Sequence, residues 1–196
     1  METQAPSTAE SSPSPSATAE SASAAAQKAF EACQAKVAAA DEVLEQGEIG
    51  VSHWIAHVKV QTDDIAGKLT TAERKAQFTK TRVKGPGDLK RYRDALDDYE
   101  NLNGSCEKVE GADTVVAAAL VKCEKRSKAQ RPVLKATAGG MKDWTAHIKF
   151  MQFNKEHPNP DAAGERQSVW LKQYNGSPKN IKAFKKATKD FKAPDC

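Results

Sequence analysis

The sequence predicts an all-α protein made of two tandem copies of a small helical bundle, each copy closed by a disulfide and built of about four helices. Alanine is abundant, and apolar residues recur at intervals of three and four, a pattern typical of amphipathic helices. The segment Trp54-Ile-Ala-His-Val-Lys59 also returns 90 positions later as Trp144-Thr-Ala-His-Ile-Lys149. A repeat of this kind indicates a duplicated structural unit.

The repeat divides the chain into three parts. Residues 1–26 are rich in Ser, Ala, Thr and Pro and contain almost no large apolar side chain, so we expect a disordered tether. Residues 27–113 form the first copy, and residues 114–196 form the second copy. The whole chain is 39% hydrophobic and 29% charged, which is typical of a folded globular protein.

The first two helices of the first copy are predicted from their apolar stripes. One stripe runs from Phe30 to Leu44 and defines the first helix. Gly47 and Gly50 follow this stripe, and they are expected to break the helix because glycine weakens helices. A second helix is predicted over residues 51–69.

The third and fourth helices of the first copy are predicted from their start signals. The segment Thr70-Thr-Ala-Glu73 has the pattern of a capping box, so it should start a short helix that carries Phe78. The turn Gly85-Pro-Gly87 is expected to end that helix. Asp88 is then a suitable N-cap for a fourth, aromatic helix.

The second copy predicts the same order of helices. The first two are expected over residues 115–131 and 141–153, and Pro158-Asn-Pro160 is expected to form a linker. A short helix and a final helix follow, separated by a turn at Gly176-Ser-Pro178. Beyond the repeated histidine the offset between copies changes from 90 to 92. Four aromatic residues at equivalent positions of the two copies are expected to fill the core: Trp54, Trp144, Phe78 and Trp170.

The four cysteines predict two disulfides. Cys33 and Cys106 are 73 positions apart, and so are Cys123 and Cys196. Each copy had to be self-sufficient before it was doubled, so we expect the bonds to form within copies. A bond that closes so long a loop contributes about 4 kcal/mol in the chain-entropy model. The alternative is four buried free thiols in a cytosolic protein, whereas the cysteine spacing does not match a zinc site.

Disulfides indicate an oxidising compartment, so we expect an extracellular or cell-surface protein. The N-terminus lacks a basic region followed by an apolar run, which fits a mature exported protein and a cytosolic protein equally. The cysteines decide between them, so we expect a signal peptide to have been removed. No segment contains the roughly 20 consecutive apolar residues of a membrane-spanning helix.

The repeated histidines, His57 and His147, each follow a tryptophan by three residues and share its helical face. His53 lies four residues before His57, and Asp143 lies four residues before His147. One hypothesis is a transition-metal or haem site where the two Trp-His helices meet. The preferred interpretation is structural, because these histidines lie among apolar positions, where each would hydrogen-bond a neighbouring helix.

The sequence does not predict an enzyme or a bound cofactor. No setting for a serine or cysteine nucleophile, no paired carboxylate motif and no phosphate-binding glycine loop accompanies the histidines.

Charge is divided unequally between the copies. The first copy has 13 basic and 16 acidic residues, whereas the second has 17 basic and 7 acidic residues, a net charge of +10. We expect the two copies to attract each other, and the second to offer a basic face to an anionic envelope component. The lysine-rich final helix resembles a membrane-surface helix, but its apolar stripe recurs in the acidic first copy, so we expect that stripe to be core. Nucleic-acid binding is not favoured, because no recognised motif is present.

The order of these motifs resembles uncharacterised secreted or lipoprotein domains of high-GC Gram-positive bacteria (actinobacteria). The shared features are a first-helix cysteine, Trp-x-x-His, a short Phe or Trp helix, a glycine turn, an aromatic helix and a closing cysteine. The resemblance covers both copies and implies export and an all-helical fold. The chain departs from a lipoprotein in having no cysteine near its N-terminus. We therefore expect a non-enzymatic secreted or cell-envelope protein with a binding or structural role, the alternative being a metal- or haem-binding protein.

Overall fold

The computed structural model of the protein describes residues 15–157 and 163–196. The described residues are helical and contain no strand, so the all-α prediction is confirmed. The five helices are α1 (Pro15–Ile65), α2 (Thr71–Arg82), α3 (Gly85–Asn101), α4 (Thr114–Glu156) and α5 (Ala163–Asp190). None of them is long and apolar enough to cross a membrane.

The glycines that were expected to break the first helix lie inside α1, so that prediction is wrong. A Cβ atom at Gly47 would lie 2.1 Å from Thr137 Cγ2, and one at Gly50 would lie 2.5 Å from Met141 Sδ. Both glycines therefore allow α4 to approach α1 closely. Gly140 of α4 has the same role, because a Cβ there would lie 2.7 Å from a methyl group of Val51.

The turn predicted at Gly176-Ser-Pro178 is also absent, since α5 continues through it. Pro178 has no N–H to donate to the carbonyl of Tyr174, four residues earlier. The buried hydroxyl of Ser177 donates to that carbonyl instead, at 2.8 Å. This bond gives the Tyr174 carbonyl a donor in place of the backbone N–H that Pro178 lacks.

The capping box at the start of α2 is confirmed: the Thr70 hydroxyl accepts from the Glu73 amide, and the Glu73 carboxylate accepts from the Thr70 amide. Asp88 is not the N-cap of α3, because that helix begins at Gly85 and Asp88 is fully buried within its first turn.

The predicted end of the tether, at residue 26, lies inside α1, which begins at Pro15. Residues 1–14 of the predicted tether lie outside the described residues, as does the predicted linker Pro158-Asn-Pro160.

Both disulfides form within copies. Cys33 bonds to Cys106 and Cys123 bonds to Cys196, so no thiol is free. Each bond connects the N-terminal part of a long helix to the segment after the last helix of the same copy.

The two copies share one core, which differs from two self-contained bundles. Its buried residues come equally from both copies: Val51, Trp54, Val58, Leu89, Met141, Trp144, Ile148 and Phe184. A second apolar cluster joins Cys33 and Val37 of α1 to Leu120 and Cys123 of α4. A unit of about 85 residues with few aromatic side chains buries little apolar surface alone, so packing against the other copy completes its core.

Candidate functional site

The repeated histidines meet at the centre of the shared core. His57 projects from α1 and His147 from α4, and their Nε2 atoms are 3.0 Å apart. Their exposed fractions are only 2% and 3%. The histidines therefore contact each other directly, rather than lying in separate cores.

Each histidine also contacts the next helix of its own copy. His57 Nδ1 lies 2.7 Å from the hydroxyl oxygen of Thr81 in α2, and His147 Nδ1 lies 3.0 Å from Gln173 Oε1 in α5. Thr81 and Gln173 occupy equivalent positions, 92 residues apart. The central contact between the histidines is thus flanked by one hydrogen bond on each side.

The partners assign the protons of this pair. The amide nitrogen of Gln173 is directed to the carbonyl of Ala146, at 3.4 Å, so Gln173 Oε1 faces His147 and can only accept. His147 therefore carries its proton on Nδ1, and its bare Nε2 accepts from His57 Nε2–H. The bare Nδ1 of His57 then accepts from the Thr81 hydroxyl, and both imidazoles are neutral.

The hydroxyl of Thr81 also lies 3.0 Å from the carbonyl of Gln77, one turn earlier in α2. The hydroxyl has a single hydrogen, which forms the bond to His57 Nδ1, the closer of these two partners at 2.7 Å. The Gln77 carbonyl still has the ordinary backbone partner of a helix. The polar groups therefore form one directed chain: Thr81 to His57, His57 to His147, and His147 to Gln173.

Electrostatics keep both histidines neutral at pH 7. Burial lowers the pKa of His57 to about 3, helped by the neighbouring His147 and Arg82. Burial also lowers the pKa of His147 to about 4, and the bond to Gln173 opposes part of this change. Neither imidazole gains a proton near neutral pH, so the pair is poorly suited to general acid–base chemistry.

Aromatic rings surround the histidine pair. Trp54 and Trp144 are fully buried and stack with ring centroids 5.4 Å apart. Phe78 lies 5.0 Å from His57, and Trp170 lies 4.2 Å from His147. The structure thus brings together the four aromatic residues that were expected to fill the core.

The two assisting ligands of the metal hypothesis lie elsewhere. His53 Nδ1 is 2.9 Å from Asp88 Oδ2, and Asp143 Oδ2 accepts from the amide of Asn180 at 2.9 Å. Burial raises the pKa of Asp143, while Asn180 opposes the change. Among the described residues, no group of three or more His, Cys, Asp or Glu side chains has an arrangement that could hold a metal ion.

Sequence reasoning missed Thr81 and Gln173, and it gave Asp88 only the role of an N-cap. The carboxylate of Asp88 accepts from the indole N–H of Trp144 at 3.2 Å and from Arg91 at 2.7 Å, so it joins α3 to α4. The repeat offers a signal for Thr81 and Gln173, which lie at equivalent positions 24 and 26 residues after their histidines. That equivalence is not apparent from the residue types, because one position holds threonine and the other glutamine.

Comparison of the chain with protein-family models, with curated proteins and with solved structures finds no match.

Proposed function

We propose that this protein is a non-enzymatic, exported helical module, extracellular or attached to the cell surface, that binds an anionic component of the envelope through its second copy. The histidine pair then has a structural role, because it joins the two copies at the centre of their shared core.

The chemistry of the pair supports a structural role. Both imidazoles are neutral, enclosed by aromatic rings and hydrogen-bonded at each nitrogen by protein groups. A buried polar network that satisfies its members specifies one packing arrangement, because any other arrangement leaves a donor or acceptor without a partner.

The disulfides support export. They are typical of proteins that fold in oxidising compartments outside the cytoplasm. The resemblance to secreted and lipoprotein domains of Gram-positive bacteria suggests the cell envelope as the place of action.

The positive charge of the second copy is the observation that supports an anionic partner. On the last helix of the first copy, acidic residues stand at Asp94, Asp97 and Glu100. The equivalent positions of the second copy hold exposed lysines: Lys186, Lys189 and Lys192. Phe184 of the same helix is buried and Ile181 packs against the core, while Ala187 and Phe191 are only partly buried and the lysines face solvent. A basic surface concentrates anionic polymers in a salt-dependent way.

Co-sedimentation with purified Gram-positive cell walls tests this proposal. We expect binding to walls that carry their phosphate polymers, and a loss of most binding when those polymers are extracted or salt is raised. Reversal of three α5 lysines (Lys182→Glu, Lys185→Glu, Lys189→Glu) should abolish binding.

The matched control reverses three exposed lysines of the first copy: Lys28→Glu, Lys75→Glu and Lys80→Glu. Both triple variants change the net charge equally. Equal loss in the two would indicate a response to net charge alone, and binding to extracted walls would contradict the anionic partner.

The alternative function is transition-metal or haem binding by His57 and His147. Its support is the meeting of their Nε2 atoms, because a metal ion could replace the proton between them. Metal–imidazole bonds of about 2.0–2.1 Å would require the rings to separate slightly. Metal analysis, an absorption spectrum and titration with Cu(I) and Zn(II) test it. Binding that is lost in His57→Gln would support this alternative, and no binding at micromolar metal would exclude it.

A further inference from the structure

An apolar groove lies between α4 and α5 within the second copy and has a volume of about 660 Å³. Its wall on α4 includes Pro132, Val133 and Ala136, and the opposite wall includes Ala183 of α5 and Phe191, which directly follows that helix. This volume is typical of pockets for small ligands, which are mostly apolar with a few polar groups at the edge.

The groove lies where the two copies differ in the size of their side chains. Three lining positions of the second copy hold small residues: Ala136, Gly139 and Ala183. The equivalent positions of the first copy hold larger side chains: Gln46, Ile49 and Arg91. Ala136 and Ala183, on two facing helices, leave open space between them, whereas Gly139 gives room to Asn180, whose Oδ1 would lie 3.3 Å from a Cβ there.

The charges at the rim differ between the copies at the same place. The rim of the groove holds Lys135, Lys186 and Lys192. The equivalent residues of the first copy are all acidic: Glu45, Asp94 and Glu100. The lining of the groove contains one carboxylate, Asp190, which forms an ion pair with Lys186. The rim therefore keeps a net positive charge.

We propose that this groove binds a fatty-acid carboxylate, a single-chain anionic amphiphile. The alkyl chain lies along the apolar walls, and the carboxylate interacts with the rim lysines through charge-assisted contacts. The wall spans residues 129–139 of α4, which is about 15 Å at the rise of an α-helix, enough for a medium-length chain. This inference rests on the proposed function, since it names a ligand for a protein that we propose to be a binding module.

Calorimetric titration of the full, disulfide-bonded chain tests the ligand class. The probes are dodecanoate, dodecanol and dodecyltrimethylammonium, which share one chain length and differ in head-group charge. We expect saturable binding of one dodecanoate per chain, at least about tenfold tighter than the cationic probe. Absence of saturable binding, or equal affinity for the anionic and cationic probes, would overturn the proposal.

Two variants test the location. Ala183→Phe fills the groove from its exposed side, and the double variant Lys135→Glu/Lys192→Glu reverses the rim. Each should weaken dodecanoate binding at least about tenfold. The matched controls are Ala35→Phe and Lys80→Glu/Lys172→Glu, at exposed positions outside the groove, and they should bind normally. Unchanged binding by Ala183→Phe or by the rim double variant would place the ligand elsewhere.

Cell-wall co-sedimentation and dodecanoate titration together distinguish the groove proposal from the proposal of an anionic polymer partner. A chain that sediments with cell walls but does not bind dodecanoate contradicts the groove alone. A chain that binds dodecanoate in the groove but ignores cell walls contradicts the anionic-polymer proposal alone.

Discussion

The contact between His57 and His147 joins identical residues, yet a hydrogen bond between them needs one donor and one acceptor. The pseudo-symmetry of the copies would leave the direction of that bond undetermined. Gln173 resolves it, because its amide oxygen can only accept, so His147 donates to Gln173 and accepts from His57, and the Thr81 hydroxyl is left as the donor to His57. The repeat in the sequence predicted equivalent histidines, but their partners were not predictable, since the two copies use different residue types.

The first prediction concerns the dependence of stability on pH. The pKa of His57 is about 3 and that of His147 about 4 in the folded protein, against 6.5 for an ordinary histidine. The unfolded chain therefore binds more protons below pH 6.5, so stability is full above that pH and falls as the pH decreases towards 4. With both groups titrating, the slope reaches about 2.7 kcal/mol per pH unit.

Urea unfolding at a series of pH values from 7.5 to 4.5 measures this slope. The variant His147→Gln removes one titrating group and should flatten the curve by up to about half. Parallel curves for the two proteins would contradict the neutral, buried pair.

The second prediction concerns the donor at the start of the chain of hydrogen bonds. Thr81→Val keeps the shape of the side chain and removes the hydroxyl, which leaves His57 Nδ1 buried without a partner. We expect a loss of about 1–3 kcal/mol in the free energy of unfolding. Thr81→Ser keeps the hydroxyl and should recover most of that loss; equal stability of the valine and serine variants would refute the hydrogen bond between Thr81 and His57.

Apolar stripes in the sequence predicted which segments are helical, but not where each helix ends. Gly47, Gly50 and the Gly176-Ser-Pro178 segment were interpreted as breaks, yet α1 and α5 continue through them. The reason is tertiary: glycine at the crossing of α1 and α4 gives room for a facing side chain, and Ser177 compensates for proline. The start of α2 at the Thr70 capping box was predicted correctly, because a capping box depends only on residues three positions apart.

The third prediction compares a helical glycine that lies against a neighbouring helix with one that faces open space. A Cβ at Gly47 would collide with the buried, β-branched side chain of Thr137, whereas one at Gly176 would meet no atom within 4 Å. Gly47→Ala should therefore destabilise the protein by about 1–3 kcal/mol, despite the higher helix propensity of alanine. Gly176→Ala should stabilise it by about 0.5–1 kcal/mol. Thermal unfolding of both variants checks the opposite signs, and a stabilised Gly47→Ala would contradict the close approach of α4.

At the scale of the whole molecule, the repeat predicted two similar units but not how they pack. Each long helix contributes to the same core, and Gly50 lies against Met141 while Gly140 lies against Val51, a pair of reciprocal contacts between positions 90 residues apart. A single sequence cannot show which apolar face packs within a copy and which packs between copies. Charge could be counted from the sequence, but the exposure of the lysines and the groove between α4 and α5 required the structure.

The fourth prediction is that the two copies unfold as one cooperative body joined at the histidine pair. Differential scanning calorimetry at pH 7 measures the calorimetric enthalpy of unfolding and compares it with the van't Hoff enthalpy of the same transition. A shared core predicts one transition with a ratio near one. Two transitions, or a ratio near two, would mean that the copies unfold independently and do not share one core.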